Sequence, residues 1–195
     1  PTAGTWSVLA GGDMFTGVLA HNPTLVGVGD GVDSRRSFSA VVSANYFDVL
    51  GVPLLQGRTF TAEEDRPGQD IPVVVASYAH WQRTGFDPAL IGKTVRVNER
   101  AFTVVGITPH GFTGTMSVFG AELFFPLGVF HTLANDFSGD AARSLQRVDS
   151  YNLFLVGRVK DGIEMPTASV GLDLLGQGVA KSFPDYEHHV LSPGP

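Results

Sequence analysis

Val42-Ser43-Ala44-Asn45-Tyr46-Phe47-Asp48-Val49-Leu50-Gly51-Val52 reads as a strand end, a cap, one short helix and an abrupt stop. The Ser43 hydroxyl is of the type that accepts from the free amides of a first helical turn. Tyr46, Phe47 and Leu50 then recur at three- and four-residue spacing, which gives the helix an apolar face. Gly51 stands where helices commonly turn left-handed, and Pro53 cannot continue the turn. Upstream of the cap, Phe38, Ala40 and Val42 alternate with polar neighbours, the period-2 pattern of a half-buried strand. A strand running straight into a helix already places the chain in a mixed class.

Downstream, Leu54 to Phe60 is expected to be extended, and Thr61-Ala62-Glu63-Glu64-Asp65 to be an exposed helical turn before a loop at Arg66 to Asp70. Ile71 to Ala76 is a short β-branched run, the signature of a strand buried on both faces. Ser77 caps a helix through Trp81 that Gly85 ends. Asp87-Pro88 predicts another helix, with aspartate as cap and proline at the first position, running through Ala89-Leu90-Ile91 to Gly92. Thr94 to Val97 and Phe102 to Ile107 read as paired strands around Asn98-Glu99-Arg100. Leu123 to Leu127 is expected as a strand, Val129 to Leu133 as a short helix, and Asn135 to Asp149 as a mobile polar loop. Asn152 to Val159 alternates as a strand. Pro166 opens a last helix with Ala168, Leu172, Leu175 and Val179 at helical spacing, and Glu187 to Leu191 is a terminal strand.

Upstream, Asp13 to Ala20 predicts a short helix with Phe15, Val18 and Leu19 on one side and Asn22-Pro23 as its end. Thr24 to Val28 is a strand that turns at Gly29-Asp30-Gly31. Interspersed strands and helices with a strand-rich middle argue for an α+β chain of two lobes.

Composition removes several function classes. The net charge is −6, and the 13 Lys and Arg are scattered, whereas nucleic-acid binding needs cations clustered enough to displace condensed counterions. There are no cysteines, which excludes thiolate chemistry, Cys-based metal sites and disulfides. The longest apolar stretch, Leu123 to Phe130, is far short of the roughly 20 residues of a membrane-spanning helix. The chain opens at Pro1 and closes on Ser192-Pro193-Gly194-Pro195, and is expected to be a piece of a longer protein whose membrane anchors lie outside it.

Candidate chemistry is sparse. Gly27-Val28-Gly29-Asp30-Gly31 has the composition of a phosphate loop, but a strand follows it where such a loop needs a helix N-terminus, so it reads as a β-turn. Glu63, Glu64, Asp65 and Asp70 lack the spacing and central glycine of a calcium loop and read as a solvated, helix-starting acidic turn. The six histidines, His21, His80, His110, His131, His188 and His189, form no metal-binding pattern and read as surface or half-buried. Gly-x-Ser-x-Gly is absent, and the serines near Gly4 and Gly139 offer no equivalent. Phe124 and Phe125 would point to opposite faces of a strand, one of them either exposed or under a second layer. No catalytic, cofactor-binding or metal-ligating residue is therefore assigned, no cofactor is called for, and the chain reads as no enzyme.

The opening stretch resembles the Val-Ser-x-Asn-Tyr-Phe-x-Val-Leu-Gly-Val segment of MacB-like periplasmic core domains, which occur in FtsX-type ABC transporter permeases. The resemblance continues through Leu55-Gln56-Gly57-Arg58-Thr59-Phe60, Glu63-Glu64-Asp65, Val73 to Tyr78 with Trp81, and Leu90-Ile91-Gly92-Lys93-Thr94. It ends with Phe102 to Ile107 and Pro109-His110-Gly111-Phe112, so it spans roughly residues 40 to 130. The chain departs from that pattern at Asn98-Glu99, where the family usually carries Asn-Gly. A type I′ turn wants positive φ at both central positions, so Glu99 implies another turn or strain of about 1 kcal/mol. The insertion from Asn135 to Asp149 is a second departure.

The resemblance implies a Porter-like βαβ lobe, residues 1–86 and 150–195, with a strand-rich Sabre-like lobe, residues 87–149, inserted in it. It implies termini close together at a membrane-facing base, on the periplasmic or extracellular side of a bacterial cell membrane. It further implies a non-catalytic part that transmits conformational change to a substrate or partner. The expected partners are a cytoplasmic ATPase acting through the membrane part, a periplasmic adaptor or exported substrate, and a second permease copy, with no nucleic acid. The alternative is a ligand-binding sensor with an inter-lobe cleft for a peptide, lipid or drug.

Overall fold

The computed structural model describes residues 14–30, 34–116, 120–133, 153–164 and 166–170. In chain order the elements are β1 (Phe15–Val28), β2 (Arg35–Val42), α1 (Tyr46–Leu50), β3 (Gln56–Gly57), α2 (Ala62–Asp65), β4 (Val73–Ala76) and α3 (Tyr78–Arg83). β5 (Thr94–Val97), β6 (Arg100–Ile107), β7 (Leu123–Pro126), a 3-10 helix (Leu127–Thr132) and β8 (Phe154–Val159) follow. The α+β class holds. Residues 166–170 are helical. The rest of the expected last helix, the terminal strand, the Asn135 to Asp149 loop and the two chain ends lie outside the described residues.

The strands pair in the order β2-β7-β4-β6-β5-β1-β8, with β3 alongside β6. β1 also pairs with β2, so the first six strands close into a ring and β8 is added on the N-terminal half of β1. Closure rests on a single β1–β5 bridge, Val28 to Val97, reinforced by Gly29 N to Arg96 O at 3.0 Å and Asn98 N to Gly27 O at 2.9 Å. A closed ring leaves none of its members as a free edge strand.

Side-chain alternation sorts the core into two layers. One cluster draws on all six ring strands, with Val28, Val41, Val74, Val97, Phe102 and Phe125 among its members, and fills the ring interior. The other lies outside the ring, where Leu19, Val42, Val75, Val105 and Phe124 meet Tyr46 and Phe47 of α1. Phe124 and Phe125 do point to opposite faces, and both are fully buried because each face has its own layer.

Three local readings need correction. Asp13 to Ala20 is not a helix within the described residues: Phe15 to Val28 is one 14-residue strand. The helical spacing of Phe15, Val18 and Leu19 misled because this strand is buried on both faces, Leu19 in the outer layer and Ala20 in the inner. Asn22-Pro23 does not end it. Pro23 lies between the last β8 pairing, at His21, and the β5 bridge at Val28, where among the described residues that edge of the ladder is interrupted.

Asp87-Pro88 starts a turn and no helix. The Asp87 carboxylate accepts from Ala89 N at 3.0 Å and Leu90 N bonds Asp87 O at 3.2 Å, but Gly92 at φ +86 redirects the chain before a helix can propagate. Ser43 does not cap α1 either. Its hydroxyl accepts from Ala20 N at 2.9 Å and donates to Asn45 Oδ1 at 2.7 Å, while Asn45 Nδ2 donates to Val18 O at 2.9 Å. The cap-like residues of the opening stretch therefore fasten the helix start to β1. Gly51 at φ +69 does close α1 as expected.

The β5–β6 hairpin turns with positive φ at both Asn98 (+47) and Glu99 (+65), so the type I′ geometry persists with a glutamate in it. Glu99→Gly is expected to stabilise the chain by somewhat under about 1 kcal/mol, because relief of left-handed strain exceeds the added backbone entropy of glycine. A higher urea midpoint at unchanged slope would register it; a lower midpoint would show that the turn is unstrained.

Candidate functional site

The densest polar constellation surrounds Glu122, which immediately precedes β7. β2 contributes Arg35 and Ser37, and α3 contributes His80 and Arg83. The Arg35 guanidinium grips both Glu122 carboxylate oxygens, with Nη1 at 2.7 Å from Oε2, and the Ser37 hydroxyl donates to Oε2. His80 Nδ1 lies 2.7 Å from Oε1 and Arg83 Nη2 lies 2.8 Å from Oε2. The main chain joins in: Glu122 N donates to Phe38 O and Ser77 N donates to Glu122 O, both at 2.8 Å.

Burial alone would raise the Glu122 carboxyl. The bonds from His80, Arg35, Ser37 and Arg83 outweigh it and hold the group far below the usual carboxylate range. A carboxylate so firmly ionised cannot take or give protons near neutral pH, and its lone pairs are already engaged. The cluster is thus a clamp. It lies beside two short ladders, since β7 meets β2 over Ala40 to Val42 and β4 over Val75 and Ala76 only.

A second clamp holds α2. Glu64 is buried and takes a bidentate grip from Arg58 (2.9 and 2.7 Å) while completing a capping box with Thr61. Burial raises the Glu64 carboxyl, but the Arg58 bonds prevail and lower it. The neighbouring Asp65 is raised by burial and accepts from Leu127 N at 3.3 Å. A Cβ on Gly128 would sit 2.2 Å from Glu64 O, so only glycine lets the 3-10 helix cross α2 this closely.

The expected solvated acidic turn is therefore only partly solvated. Glu63 is exposed and Glu64 is not. Asp70 stands apart with Arg100 (2.6 Å) and Thr132 (3.2 Å). Among the described residues no three His, Asp or Glu converge as metal ligands would.

Two histidines read as surface or half-buried are buried. His80 belongs to the Glu122 clamp. His21 is 6% exposed, stacked on Phe154 with ring centroids 5.4 Å apart and edge-on to Tyr46 at 6.4 Å. His110 and His131 are exposed, and His188 and His189 lie outside the described residues. Gly27 to Val28 ends β1 and Gly29 turns it at φ +122; Gly31 lies outside the described residues.

An aromatic patch decorates the surface beside the first clamp. Phe86 is 41% exposed and stands edge-on to Tyr78 (5.7 Å) and Trp81 (5.1 Å), with His110 against Tyr78 at 4.8 Å. Trp81 Nε1 donates to Asp87 O at 2.8 Å. Phe86 has φ +58, a left-handed backbone that a bulky residue adopts only under constraint.

Comparisons with known proteins fit this geometry. A family model described as MacB-like periplasmic core domain matches residues 8–173. No curated protein shows significant sequence similarity to the chain. Among solved structures, the periplasmic region of MacB from Actinobacillus actinomycetemcomitans superposes with a TM-score of 0.65 at 18% identity, covering 93% of this chain and 73% of that one. The extracellular domain of the ABC-type transporter YknZ from Gram-positive bacteria gives a TM-score of 0.65 at 16% identity, covering 92% and 84%.

Proposed function

Because this chain belongs to the MacB-like periplasmic core domain family, we propose that it is a non-catalytic relay, a body moved outside the membrane by ATP hydrolysis on the other side. The family is one of ABC transporter permease domains, and permeases of the MacB and FtsX type work with a cytoplasmic ATPase. No helix among the described residues is long and apolar enough to cross a membrane, so in this proposal motion reaches the domain from membrane segments elsewhere in the permease. The observation that carries the proposal is the family match over residues 8–173.

A relay must not deform under load, and the architecture supports that. A ring closed by β1–β2 pairing, with its β2–β7 seam pinned by the bidentate Arg35–Glu122 clamp, resists shear better than an open sheet. The proposed lobes, residues 1–86 with 150–195 and residues 87–149, share that ring. β6 pairs with β4 and β7 with β2, so in this reading the ring segments of both lobes travel as one body. We further propose a permease dimer in which two such bodies shift against one another and against an adaptor or exported substrate.

Absence of cysteine makes labelling of this chain site-specific. Spin labels at the exposed Glu63 and Gln82 in the full-length permease should keep one distance within each copy. The distance between copies should change when ATP is trapped in the ATPase. Unchanged distances between copies, or a nucleotide-dependent change within one, would sink the relay.

A further inference from the structure

Thr24 and Ser39 face each other across the antiparallel β1–β2 ladder and are 1% and 3% exposed. Among the described residues neither hydroxyl has a hydrogen-bond partner. Directly opposed residues share a face, and period 2 puts this pair on the face of Val26 and Val41, inside the ring. The next rung on that face carries Ser37, whose hydroxyl donates to Glu122. The inner face of β1–β2 thus bears a polar stripe, and among the described residues the Thr24–Ser39 rung holds the two unmatched hydroxyls.

A hydroxyl both donates and accepts, and buried ones are almost always satisfied by protein or by ordered water. Ser39 is also smaller than Val41, its neighbour along β2 on the same face. We propose that a single water molecule is held inside the ring between Thr24 Oγ1 and Ser39 Oγ. Such a water needs two to four polar partners. The two hydroxyls supply two, and strand carbonyls, each with a second lone pair, complete the set. This proposal is independent of the relay function.

The test is a high-resolution crystal structure of the 195-residue chain, paired with Thr24→Val and Ser39→Ala. A water within about 3.2 Å of both hydroxyls is the expected result. Each single variant should lower the urea midpoint, the double variant should fall less than the sum, and the water should vanish from it. A direct Thr24–Ser39 hydroxyl bond without water density overturns the proposal. So does a midpoint that rises in both single variants, which would mean two dry, unpaired hydroxyls.

Discussion

Glu122→Ala is expected to lower the unfolding free energy of the chain by about 3 kcal/mol, the low end of the cost of breaking a buried ion pair. The substitution removes the acceptor shared by Arg35, Ser37, His80 and Arg83 and leaves the buried His80 Nδ1 without its carboxylate. The low end applies because Arg35 and Arg83 are about half exposed, so their guanidinium ends can turn to water. For the same reason Arg35→Ala and Arg83→Ala should each cost only about 1 kcal/mol. Glu122→Gln should fall between these, since it keeps the shape and one acceptor but not the charge. Urea unfolding at pH 7 reads all four; a Glu122→Ala loss no larger than that of Arg35→Ala would show that the cluster does not act as a clamp. Amide exchange adds a second signature. If the clamp holds the short β2–β7 seam, exchange in β2 and α3 should accelerate together in Glu122→Ala while β5 and β6 stay protected.

Little of that clamp is visible in the amino-acid order. Glu122, Arg35 and Arg83 are unremarked surface-type residues and His80 is only one of six patternless histidines, and their meeting depends on pairing between positions up to 87 apart. No local spacing encodes such a contact, so a motif search passes over it. What does carry a local signal is the run from Val42 to Val52, where strand end, helix and Gly51 stop appear as read. Even there Ser43 and Asn45 are recruited by β1, where a buried strand amide at Ala20 and a carbonyl at Val18 need partners. The Asp13 to Ala20 reading failed for the opposite reason. Periodicity distinguishes helix from strand only when one face is wet, and the ring gives β1 two dry faces. The family-like order of segments across residues 40 to 130 pointed to the right family and to the α+β class, but ring closure through Val28 and Val97 is a tertiary event with no signature of its own.

Acid should loosen the β1–β8 junction through His21. This residue occupies the position where β1 pairs with β2 and β8 at once, opposite Val42 on one side and Phe154 on the other. Its ring is enclosed between Phe154 and Tyr46, and burial lowers its pKa from 6.5 to about 4. The group is therefore neutral in the folded chain well below the pH at which the unfolded chain protonates it. The unfolded state takes up the proton first, so stability falls as pH drops through 6.5 and levels off only near 4. The full excursion, at about 1.4 kcal/mol per pKa unit, amounts to about 3 kcal/mol. Carboxylates such as Glu64 and Glu122, whose folded pKa values are lowered, add their own loss at lower pH, so the histidine contribution must be isolated by difference. His21→Phe keeps a ring between Phe154 and Tyr46 and cannot titrate. Its stability between pH 6.5 and 4.5 should run flatter than that of the parent chain, and a curve parallel to the parent's would place the acid sensitivity elsewhere. Because Phe154 is 58% exposed and forms only the outer wall, Phe154→Ala should admit water to the imidazole, raise its pKa toward 6.5 and shrink the same difference.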